Sequence, residues 1–81
     1  MPKVRRRNLP RQLLAHLLQR IQDRSITIDQ LQWLYDWLET QPEVPDGEWF
    51  KRFRDMIVCG EGPFVKTFLL SGQIPHGEEV E

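Results

Sequence analysis

Ile26-Thr27-Ile28-Asp29-Gln30-Leu31-Gln32-Trp33-Leu34-Tyr35-Asp36-Trp37-Leu38 is the most strongly specified helix in the chain, and the other segments are read as elements packed around it. Thr27 is placed as its N-cap, because a threonine hydroxyl can accept from the backbone N–H three residues on, while the Gln30 side chain reaches back to the Thr27 N–H. Ile26 and Leu31 have the spacing of a hydrophobic staple across that cap. With 3.6 residues per turn, Ile28, Leu31, Leu34, Tyr35 and Leu38 share one face. Trp33 and Trp37 fall on nearly the opposite side, so this helix is expected to bury two apolar faces against two different surfaces.

Working outward, Leu13, Leu14, Leu17, Leu18 and Ile21 recur at three- and four-residue intervals and predict a first amphipathic helix. It is expected to open at Asn8, with Pro10 in its first turn, and to close near Arg24. Only Ser25 and Ile26 then separate it from the Thr27 cap, which makes the two helices neighbours in space. Beyond Leu38, Pro42 and Pro45 stop the second helix near Thr40.

Asp46 offers a further N-cap, and Trp49, Phe50, Phe53, Met56 and Ile57 have the spacing of one helical face, with Lys51, Arg52, Arg54 and Asp55 on the other. This predicts a third helix. Gly60-Glu61-Gly62-Pro63 closes it, and the pairs Phe64/Phe68 and Val65/Leu69 predict a short fourth helix to about Leu70, a run also short enough to be a strand. The expected fold class is therefore all-α, a single compact helical domain over residues 8–72. A flexible basic arm at 1–7 precedes it, and an acidic tail at 73–81 follows.

The charges are segregated. Eleven basic against twelve acidic residues leave a net charge of −1, yet up to Arg24 seven cations face only Asp23, a balance of +6. From Ser25 to Phe50 there is no Lys or Arg and there are six carboxylates, and Glu78, Glu79 and Glu81 follow in the tail. Overall neutrality removes any bulk attraction to nucleic acid or anionic membrane. The single cysteine, Cys59, excludes an internal disulfide framework, and no run approaches the roughly 20 apolar residues of a transmembrane helix. These features, with no apolar leader developing after the first arginines, point to a cytoplasmic protein.

Chemistry is sparse. Cys59 has no histidine near it in sequence, and His16 and His76 lack metal-ligand spacing with it or with each other. The Gly60-Glu61-Gly62 segment has no following Lys-Ser/Thr pair and puts a glutamate where a phosphate would sit. No nucleophile, base and orienting group come together, so neither an enzyme nor a cofactor site is expected.

Two surfaces remain. Trp33 and Trp37, flanked by Asp29, Asp36 and Glu39, resemble an aromatic anchor with a polar rim, suited to another protein or to a second copy of this chain. The bland reading is that these tryptophans are core, covered by the fourth helix or the tail. The alternative surface is basic, with Arg5, Arg6, Arg7 and Arg11 joining Lys51, Arg52 and Arg54 of the third helix as a sequence-tolerant clamp for nucleic-acid phosphates. A helix-turn-helix reader is excluded, because the second helix would bring Asp29, Asp36 and Glu39 to the phosphates with no cation. The expected function is thus a small non-enzymatic interaction module, an adaptor, inhibitor or regulatory subunit.

Overall fold

The computed structural model describes residues 2–4, 9–70 and 72–81. Two helices, α1 (Arg11–Gln22) and α2 (Ile28–Glu39), are followed by four strands, β1 (Glu48–Arg52), β2 (Met56–Glu61), β3 (Phe64–Leu70) and β4 (Glu78–Glu79). The strands form one mixed sheet in the order β3-β2-β1-β4, antiparallel except for the β1–β4 pair. The all-α expectation is therefore corrected to an α/β domain of two helices and a sheet. The expected third helix is the β1–β2 hairpin and the expected fourth helix is β3.

The reason lies in the reversals. Phe53 donates its N–H to the Met56 carbonyl, which closes a hairpin around Arg54 and Asp55. Gly62 takes φ 55 in the next reversal and donates to the Gly47 carbonyl. Two-residue reversals set antiparallel register, and side chains then alternate between faces. Trp49, Lys51, Met56, Val58, Gly60 and Val65 fall on the face toward the helices, whereas Glu48, Phe50, Arg52, Ile57 and Cys59 fall on the other.

Both helices stand where periodicity places them. Pro10, not Asn8, is the residue at the α1 N-cap position, and Asn8 lies outside the described residues. Arg24 adopts φ 66 just past the α1 end, where the Ser25 N–H donates to Asp23 Oδ1. Thr27 and Thr40 bracket α2 as expected, but the capping box does not form. Gln30 turns inward instead, and its Oε1 accepts the Asp55 N–H at 3.1 Å, bracing the β1–β2 reversal against the helix. Its Nε2 is buried with no hydrogen-bond partner.

Leu13, Leu17, Ile26, Leu34, Leu38, Val44, Trp49, Met56, Val58 and Val65 make the core, together with Val4. Pro2 to Val4, expected within a flexible arm, pair instead with the segment after α2. Val4 donates to the Pro42 carbonyl, Val44 donates to that of Pro2, and Val4 is 0% exposed. The acidic tail is likewise built in. After β3 the chain passes His76, which lines a cleft with Glu48 and Cys59 on the face opposite the helices, and brings Glu78 and Glu79 alongside β1, where the Val80 N–H bonds the Phe50 carbonyl at 2.7 Å. Among the described residues, no helix is long and apolar enough to cross a membrane.

Trp49 fixes the sheet to the helices. Its indole Nε1 donates to the Gly62 carbonyl at 2.8 Å, and its ring lies where a Cβ on Gly60 would stand only 2.3 Å away. Gly60→Ala is therefore expected to overpack this site and cost about 1–3 kcal/mol. Trp49→Phe strands a buried carbonyl and is expected to cost about 1–3 kcal/mol. Urea unfolding of the two variants, read from the shift in midpoint at constant slope, measures both.

Candidate interaction surface

Trp33 and Trp37 lie one helical turn apart on α2, but they do not form a second apolar face opposite the core stripe. The buried residues of α2 are Gln30, Leu34 and Leu38, and Trp37 flanks them on the side that meets the sheet. A sheet is a broader surface than a helix, so it covers a wider arc of α2 than a helix–helix contact would. Trp37 is half-buried, with its ring centroid 5.7 Å from Trp49 and 6.4 Å from Phe53, the latter edge-to-face. Trp33 lies one turn earlier at the margin of that arc and is 41% exposed.

Around these rings the charges are arranged in two groups. Asp29 and Asp36 are exposed on the outer side of α2, and Gln32 Nε2 holds Asp36 Oδ1 at 2.9 Å. Glu39 is exposed at the end of the same helix. On the sheet side, Lys51 places its Nζ 5.6 Å from the Trp37 ring centroid and 5.4 Å from that of Phe53, within cation–π range of both. The result is an aromatic ledge of Trp33, Trp37 and Phe53 with carboxylates on one flank and an ammonium on the other. Phe53 and Lys51 were not legible as members of this surface, because a helical reading puts them on opposite faces.

Among the described residues, the basic side chains of the alternative surface do not converge. Arg5, Arg6 and Arg7 lie outside the described residues. Arg11 is exposed at the start of α1. Lys51 faces the helices, whereas Arg52, its neighbour on a strand, points to the opposite face, where it stacks over Phe50 and meets Glu79 at 3.7 Å. Arg54 is exposed in the β1–β2 reversal.

The remaining chemistry-bearing groups gather on the far face of the sheet. A cleft of about 360 Å³ there is lined by Glu48, Cys59, Lys66, Thr67 and His76 among others. Burial, with the Glu48 carboxylate second, pushes the Cys59 thiol above its ordinary range, the reverse of what a nucleophile needs. Among the described residues no three His, Cys, Asp or Glu side chains are grouped to hold a metal ion. No protein-family model matches the chain, and no curated protein or solved structure matches it either.

The thiol shift has a sign that can be checked. The folded chain holds the Cys59 proton more tightly than the unfolded chain, so stability is expected to fall as pH rises through the ordinary thiol range. Alkylation of Cys59 by iodoacetamide at neutral pH should be slow in the native protein and accelerate to the rate of a free thiol in urea.

Proposed function

We propose that this chain is a small non-enzymatic interaction module that holds another protein through the outer edge of α2. The observation that carries the reading is the pairing of a part-exposed Trp33 with a Trp37 already fixed against Trp49 and Phe53. A large aromatic that loses little freedom on binding, seated on a rigid platform, is the usual make-up of an interface anchor. Asp29 and Asp36 stand beside it in a stretch of chain without a cation, so the complementary surface is an apolar pocket with a basic rim.

The two tryptophans have different tasks under this reading. Trp37 braces the ledge, and Trp33 makes the contact. The test is affinity capture with the tagged chain from nuclease-treated lysate of its host, run in parallel with Trp33→Ala and the double variant Asp29→Asn/Asp36→Asn. Trp33→Ala is expected to lose the captured protein, a cost of about 2 kcal/mol or more in binding, while thermal stability changes by less than about 0.5 kcal/mol. The double asparagine variant is expected to slow association and flatten its salt dependence. Retention of the same protein by Trp33→Ala would refute the assignment.

A further inference from the structure

Lys51 holds its ammonium in a corner made by two aromatic rings. Trp37, on the sheet side of α2, and Phe53, just past β1, meet edge to face, with centroids 6.4 Å apart and ring planes at 81°. The Lys51 Nζ lies 5.6 Å from the first centroid and 5.4 Å from the second, so one cation faces both walls. Each distance is that of a cation attracted by the negative face of a ring. The walls are fixed from behind. Trp49, fully buried, stands 5.7 Å from Trp37, and the Phe53 N–H is bonded to the Met56 carbonyl across the hairpin. Trp37, Lys51 and Phe53 are all part-exposed, so the corner opens to solvent.

Such a corner suits one class of cation better than the one it holds. A lysine ammonium carries three N–H donors, and a donor turned toward a ring face exchanges water for a weaker acceptor. A trimethylammonium keeps the charge, has no donor to satisfy and lays methyl groups against both faces. A guanidinium is flat and stacks on one face, whereas these two faces stand at nearly a right angle. We infer that the Trp37–Phe53 corner is a seat for a trimethylated lysine of a partner protein, with Lys51 filling it in the free chain. The inference rests on the reading of α2 as a protein-binding surface and names the group that enters it.

The charge beside the corner points to the same occupant. Turning outward around α2 from Trp37, helical steps present Trp33 and then Asp29 and Asp36, both exposed. No Lys or Arg lies between Ser25 and Phe50, so a cationic side chain approaching this edge of α2 is attracted to it. Lys51 is the first cation after that stretch. Its backbone is held opposite Val58 in β1, while its long stem can swing the ammonium into water without moving the strand. An unmodified lysine from a partner gains nothing over Lys51, which is tethered at the site and so present at high effective concentration. Lys51 thereby sets a threshold that a plain ammonium does not pass and a methylated one does.

The test is an NMR titration of the intact chain with a short acetylated peptide carrying one trimethyllysine. Companion peptides replace it with lysine, with arginine, or with a neutral side chain ending in tert-butyl, which has the shape of trimethylammonium without its charge. The trimethyllysine peptide should shift the Trp37 indole and Phe53 ring resonances saturably, and each companion should bind about tenfold more weakly or worse. Lys51→Thr empties the corner and should tighten binding about fivefold, a gain that misfolding cannot produce. No shift at millimolar peptide, equal binding of the arginine or tert-butyl companion, or no gain in Lys51→Thr would each overturn the assignment. Trp33→Ala separates the two readings. If it loses the captured protein while the wild-type chain ignores the peptide, the α2 contact stands and the ammonium seat falls. If the peptide binds and capture survives Trp33→Ala, the seat stands and the Trp33 contact falls.

Discussion

The indole of Trp49 is the contact on which the two layers depend. It sits on the helix side of β1, donates to the Gly62 carbonyl, and covers Gly60 so closely that no side chain could stand there. One ring thereby ties β1 to the far end of β2 and to the reversal leading into β3. The same ring meets Trp37, so the position of α2 over the sheet follows from it. In a domain this small, where core burial leaves little surplus over chain entropy, one fully buried aromatic carries a large share of the packing.

How much of this was legible differs by element. The helices could be read because their signals are local: a threonine at the α2 start, leucines at three- and four-residue spacing in α1, and prolines after Thr40. The sheet could not, because Trp49, Phe50, Phe53, Met56 and Ile57 satisfy helical spacing only if the chain does not reverse at Arg54-Asp55. That reversal has no glycine and none of the dipeptides that mark a hairpin. Gly62-Pro63 does mark one, but a glycine followed by proline is also how one helix ends and another begins. Val58 and Cys59 then extend the run with residues common in strands, a weak preference that only tertiary pairing makes decisive.

The candidate surface on α2 was half legible for the same reason. Trp33, Asp29, Asp36 and Glu39 share the exposed part of a correctly read helix, so their grouping survives. The ledge beneath them comes from a strand and its reversal, and no periodicity links Lys51 or Phe53 to a helix read as separate from them. Gln30 shows the limit of local rules most clearly. Its spacing from Thr27 is that of a capping box, yet the side chain is drawn inward because the Asp55 N–H, distant in sequence, needs an acceptor there.

The crossing from β3 to β4 has a consequence for the order in which the molecule is assembled. β1, β2 and β3 are joined by tight reversals, so each pairing closes a short loop, whereas β4 must find β1 across the whole meander. The tail can therefore dock only onto a sheet that already exists. Until it does, Phe50 and Ile57 lie on the sheet face opposite the helices, and they are buried in the finished fold. In synthesis from the N-terminal side the meander emerges before β4, so this apolar surface stays exposed until the β4 segment has been made.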